Sequence, residues 1–236
     1  MQLQHKHIAV DLLYLLLCIN NSRNGTELHH QHVGEVRDDR SLIQMLAKYY
    51  RCRRNELRSF FSMRAVRAIN LVKFGLDMSS RVDVHQHDRA CEKKSCNCVP
   101  PLDKVEPSPD AEYRCRPVPA AQIPPIGENY LMHLFASPEC ISPQQTWIYN
   151  QFPKRTRGQL MGRPDEPTFG WGVHFQEGWN WDKIWLVVFV LFVFGSLLFG
   201  ILWSVLRHDI QSAFGISAYW ITACTVLLSY IATRNV

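Results

Sequence analysis

Five residues of metal-ligating type lie close together in the stretch VDVHQHDRACEKKSCNC: His85, His87, Cys91, Cys96 and Cys98. Imidazole and thiolate are the usual zinc donors, and four of them set tetrahedrally hold the ion. The spacing here forms no paired-cysteine knuckle, and Cys115 would be a distant sixth donor. The stretch therefore reads as an exposed Cys- and His-rich loop, and no metal is expected. The chain has eight cysteines. Cys18 and Cys224 fall in apolar segments. Cys52, Cys91, Cys96, Cys98, Cys115 and Cys140 fit a disulfide framework in an oxidising compartment or free thiols in a reducing one, and free thiols are the expectation. Phosphate-binding GxxxxGK[ST], dinucleotide-binding GxGxxG, HExxH and GxSxG are all absent. No enzyme activity and no cofactor are expected.

Charge is the next source of chemistry. Lys and Arg number 26 against 21 Asp and Glu, a net charge of +5. That mild excess favours anionic lipid head groups as neighbours. Between Ser41 and Asp77, Leu42, Met45, Tyr49, Leu57, Phe60, Phe61, Val66 and Ile69 recur at helical spacing. Arg51, Arg53, Arg54, Arg58, Arg64 and Arg67 lie between them. The pattern predicts a basic amphipathic helical region over 41–80, with those six arginines as a membrane-surface patch. The competing reading is a helix packed on protein with a solvated basic face. No nucleic-acid module motif accompanies the charge, so no nucleic-acid partner is expected.

The elements that must carry this patch are set by the tail. Ile184–Leu206 reads IWLVVFVLFVFGSLLFGILWSVL, without a charge and longer than a bilayer core requires. Ala213–Thr233 is also uncharged but richer in Ser, Thr and Tyr, and only a short polar turn separates the two. The reading is a two-helix transmembrane hairpin over 183–236. Trp179, Trp181 and Trp185 gather at its start, at the depth where indole is favoured. Lys183 and Arg234 lie on the side opposite Arg207, so both termini are placed in the cytosol. Ser196, Gly200 and Ser204 form one small-residue stripe, and Ala218, Thr222, Thr225 and Ser229 another. These are expected to be the helix–helix packing residues.

The remainder reads as irregular. Residues 1–40 are a low-order segment whose apolar stretch, His7 to Ile19, is too short to span; it suits a short amphipathic or buried helix or the core of a signal peptide. Residues 81–127 are a linker, Cys- and His-rich and then Pro-rich. Residues 128–182 form a membrane-proximal region with two short helices, around NYLMHLF and QQTWIYNQF. The fold class expected is mainly α, with an irregular Pro-rich membrane-proximal region before the hairpin.

GWGVHFQEGWNWDKIW, the first apolar run, the turn ending DIQSAFGI and the second run resemble the C-terminus of a group of uncharacterised filamentous-fungal membrane proteins. The positions that carry the likeness are Gly170, Trp171, Gly172, Glu177, Gly178, Trp179, Asp209, Gln211, Phe214 and Gly215. RSFFSMRAV, EYRCRPVPA and PPIGENYLMHLF are similar too. The resemblance implies a membrane-anchored interaction or regulatory protein with no catalytic residues. Its partners would be the lipid bilayer, anionic lipid head groups and an unidentified protein. The alternative is an oligomeric ion channel or transporter subunit with two spans per chain.

Overall fold

A computed structural model of the chain describes residues 12–21, 25–53, 62–78, 80–84, 97–117, 126–164, 167–207 and 210–234. The chain forms two compact units. One comprises Met1–Phe61 and Val66–Gly178; the other comprises Ser62–Ala65 and Trp179–Val236.

The larger unit is built on a seven-stranded sheet. Its strands are β1 (Tyr14–Asn21), β2 (Gly25–His32), β3 (Arg64–Leu76), β4 (Val82–Val84), β5 (Tyr113–Arg114), β6 (Lys154–Arg155) and β7 (Thr168–Trp179). The order is β4-β3-β7-β1-β6-β5, with β2 paired to β1. β1 is the hub. It runs antiparallel to β2 along its whole length, from Tyr14 opposite His32 to Asn21 opposite Gly25. On its other edge it runs parallel to β7, with Leu17, Cys18 and Ile19 opposite Val173, His174 and Phe175. The Leu28 N–H donates to the Ser80 carbonyl at 3.1 Å and Glu27 bridges Arg81, so the sheet curls until β2 meets the β4 side.

Side chains alternate across a strand, so a strand apolar at every position must be covered on both faces. β1 does this with LLLCI. Leu15, Leu17 and Ile19 pack on α1 (Asp39–Arg53), α2 (Glu128–Ala136) and α3 (Trp147–Gln151) through Leu42, Leu46, Leu131 and Ile148. Leu16 and Cys18 point the other way, to Leu28, Val72, Phe74 and Val82. The curl brings backbones close. A Cβ on Gly172 would lie 2.3 Å from the Leu16 carbonyl oxygen, and one on Gly170 would lie 2.6 Å from the Phe74 ring. No side chain fits at either place. α1 starts at a cap, since the Asp38 carboxylate accepts the Ser41 N–H at 2.8 Å. It buries Leu42, Ile43, Leu46, Ala47 and Tyr50 as one stripe.

The smaller unit contains α4 (Trp181–Arg207) and α5 (Ile210–Arg234). Asn180 caps α4 by accepting the Lys183 N–H at 3.2 Å, while its own N–H donates to the Met63 carbonyl at 2.6 Å. α4 and α5 pack on each other through a reciprocal pair. Ser196 Oγ donates to the Ser217 carbonyl at 3.1 Å, and Ser217 Oγ donates to the Ser196 carbonyl at 3.0 Å.

The expectation of a mainly α chain ending in a transmembrane hairpin is therefore corrected. The seven-stranded sheet makes the fold mixed α/β. Of the two C-terminal helices, only α4 is long and apolar enough to cross a membrane; α5 is diluted by Ser, Thr and Tyr, and its apolar run is Phe214–Val226. Two further readings change. The helical spacing seen over 41–80 belongs to α1 only as far as Arg53, and from Arg64 the chain is β3. The apolar N-terminal stretch is β1 from Tyr14 onward, while residues 1–11 lie outside the described residues.

Candidate functional site

The apolar surface of the smaller unit is its first functional feature. Leu186, Leu191, Phe194, Leu198 and Leu206 of α4 are each more than half exposed, Leu206 reaching 75%. Ser196 is 7% exposed. A water-soluble helix puts leucine inside and serine outside; here the arrangement is reversed. At the start of α4, Trp179 and Trp181 are exposed, and the Arg64 guanidinium lies 5.4 Å from the Trp179 ring centre.

The expected packing residues are placed differently on the two helices. Ser196 is buried against Ser217, and a Cβ on Gly200 would approach Ser217 Oγ to 3.0 Å. Ser204 is half-buried. On α5 the buried residues are Ser217 and Cys224, whereas Ala218, Thr222, Thr225 and Ser229 are exposed. Their hydroxyls bond within the helix: Thr222 to the Ala218 carbonyl, Thr225 to that of Thr222 and Ser229 to that of Thr225. The packing face is thus turned by one residue from the expected stripe.

The predicted basic patch is spread over different elements. Arg51 and Arg53 are exposed in the last turn of α1, where they complement the helix dipole, and Arg53 contacts His29 Nδ1 at 2.9 Å. Arg64 and Arg67 are exposed on β3. Arg54 and Arg58 lie outside the described residues, as do His85, His87, Cys91 and Cys96. Cys98 is buried, and no group of metal-ligating side chains occurs among the described residues. Cys52 and Cys140 are free and exposed; Cys18, Cys115 and Cys224 are free and covered to different degrees.

Sequence reasoning missed a polar region around β5, β6 and α3. Lys154, in the basic run Lys154, Arg155 and Arg157, is 3% exposed. Its ammonium donates to the Tyr149 and Phe152 carbonyls and lies 4.2 Å from the Tyr149 ring centre. Burial pushes its pKa down to about 8, with Cys115 and Asp39 pulling the other way. Asp39, fully buried, accepts the Tyr149 N–H at 2.7 Å. Burial raises its carboxyl above the usual range, against the N–H groups of Tyr149, Ile148 and Trp147. This carboxylate is supplied from α1 and caps α3. Beside it Arg155 pairs with Glu112 at 2.5 Å, and Lys104 reaches the same carboxylate at 3.5 Å. Burial alone would raise Glu112, but the two cations hold it low. The signal available beforehand was the alternation Arg114-Cys115-Arg116, which places both arginines on one side of an extended segment.

A cavity of about 800 Å³ opens here, lined by Glu106, Pro107, Arg114, Cys115, Arg116, Pro117, Trp147 and Asn150. Burial raises the Cys115 thiol, so it is a poor nucleophile at neutral pH. No nucleophile–base pair lines the cavity, and the arrangement suits binding better than covalent chemistry.

No protein-family model, no curated protein and no solved structure matches this chain.

Proposed function

We propose that the chain is a membrane-anchored interaction or regulatory protein, held in a bilayer by α4 and displaying the α/β unit outside it. One observation carries the reading: Trp181–Leu206 is a helix long and apolar enough to cross a membrane, and most of its leucines and phenylalanines face outward. At 1.5 Å per residue a helix of that length reaches about 39 Å, more than the roughly 30 Å hydrocarbon core. Lipid is the solvent that such a surface requires.

The finer topology belongs to the same proposal. α5, whose apolar run is Phe214–Val226, packs on α4 through the Ser196–Ser217 pair. The unit that precedes α4 lies on the cytosolic side, where Lys183 favours it. Arg51, Arg53, Arg64 and Arg67 supply exposed positive charge for anionic head groups.

Alkaline carbonate extraction tests it. The full chain stays in the membrane pellet, and deletion of residues 181–236 releases the remainder. Retention of the truncated chain after carbonate would mean that the anchor lies elsewhere.

A further inference from the structure

The cavity at β5 has no part in membrane anchoring, and its walls divide into two kinds. Arg114 is already engaged: its Nε and Nη2 meet the Glu106 carboxylate at 2.7 and 3.3 Å, a two-point fork. Arg116, two residues on, is exposed. Its backbone N–H donates to the Asn150 carbonyl at 2.8 Å, which fixes its root, and no described group takes its guanidinium. The Asn150 side-chain amide makes one long bond, 3.4 Å to Thr146 Oγ1. The lining also includes Pro107, Pro117 and the Trp147 ring, which is 45% exposed and edge-on to Tyr130.

We propose that this cavity binds a small monocarboxylate with an apolar body. Arg116 and Asn150 take the carboxylate; Trp147, Pro107 and Pro117 take the body. Guanidinium and carboxylate match in shape, and a primary amide adds a donor that needs no charge. The volume lies within the range of small-ligand sites. Only one guanidinium is uncommitted, and the Glu106 carboxylate in the same wall repels a second negative charge. A single charge is therefore preferred over a phosphate dianion.

Cys115 in the cavity wall supplies a local readout, with exposed Cys52 and Cys140 as internal controls. The full chain in nanodiscs of neutral lipid is treated with N-ethylmaleimide at pH 8. Labelling of each cysteine is followed by peptide mass spectrometry, with and without 3-phenylpropionate. At a concentration about ten times its Kd, the probe should slow Cys115 labelling about tenfold, by the factor 1 + [L]/Kd, and leave Cys52 and Cys140 unchanged. Arg116→Gln should raise the Kd about tenfold, as loss of one charge-assisted contact does, so that at the same concentration protection falls to about twofold. The neutral 3-phenylpropionamide and the dianion phenyl phosphate should protect less. Equal protection by acid and amide, stronger protection by the phosphate, or no protection would each overturn the proposal. None of these outcomes bears on whether α4 anchors the chain.

Discussion

α1 and α4 are helices of opposite construction. α1 buries Leu42, Ile43 and Leu46 to 1% exposure or less and turns Lys48 and Arg51 outward. α4 buries Ser196 and Gly200 and turns Leu191, Phe194 and Leu198 outward. The first follows the rule for a helix in water, where removing apolar surface from solvent drives packing. The second follows the rule for a helix in lipid. There hydrocarbon competes equally for leucine, so contact goes to small residues that allow close approach and to hydroxyls that find partners. The same residue types take opposite places, as the proposed lipid surroundings of α4 predict, and α4 starts only two residues after β7 ends.

The comparison breaks most visibly at the core of the sheet unit. Leu46→Ala should lose about 2–5 kcal/mol in urea unfolding followed by circular dichroism. Leu198→Ala should stay within about 0.5 kcal/mol, as surface changes do. Equal losses would show α4 to be a buried helix of a soluble assembly. Gly172→Val belongs with the large effects, because any Cβ overlaps the Leu16 carbonyl; expression without a cooperative unfolding transition is the expected result.

Asp39→Ala ranks next. It removes the carboxylate that accepts the Tyr149 N–H and leaves buried donors at α3 unpaired, a loss of about 1–3 kcal/mol in the same assay. Leu198→Ala again provides the contrast.

A smaller effect comes from protons. Burial lowers the pKa of His30 and His174, and His29 is lowered by burial and by Arg53. His30 Nε2 accepts the Leu160 N–H at 3.0 Å, which requires that nitrogen to be unprotonated. Above the ordinary histidine value of 6.5 both folded and unfolded chains hold these rings neutral, and their contribution is fully present. As pH falls below 6.5, the unfolded chain takes up protons that the folded chain refuses, so stability declines. Thermal unfolding should show a lower Tm at pH 5.5 than at pH 7.5, and His30→Gln should flatten that dependence. A Tm that rises on acidification would contradict the assignment.

The smallest effect sharpens the other half of the comparison. Ser196→Ala and Ser217→Ala each remove one hydroxyl donor of the reciprocal pair, worth roughly 0.6 kcal/mol within a membrane. Their double-mutant cycle should show little coupling, because each donates independently to a carbonyl. Ala218→Leu should be neutral for packing of α4 on α5, since Ala218 faces outward; a loss there would restore the stripe first read from sequence.

What could be read in advance follows from how far a signal outlasts its surroundings. An uncharged run the length of α4 has few structural readings, and the regular spacing of Leu42, Met45 and Tyr49 is that of α1. β1 could not be told from a helix, because a strand covered on both faces loses its alternation and leaves only LLLCI. β3 merges with the preceding helix pattern in the sequence, since Val66 and Ile69, three residues apart, match helical spacing. β7 was legible in principle from the aromatic and β-branched residues of TFGWGVHF, but its glycines look like a loop until their close contacts are seen. The polar region was hidden for a different reason. Lys154 and Asp39 are charged residues of surface type, and nothing local reveals that carbonyls and N–H groups from distant segments enclose them. On α5, Thr222 and Ser217 are equally good packing residues by composition, and only the roll of the helix separates them.

The central claim is that the outward leucines of α4 lie in lipid, and a photocrosslink at one of them tests it directly. A benzophenone amino acid replaces Leu198, 58% exposed, in the full chain in native membranes, and the irradiated protein is analysed by mass spectrometry. The prediction is an adduct of phospholipid mass on the α4 peptide. An adduct to another polypeptide, with no lipid adduct, would contradict it and make this face a protein interface.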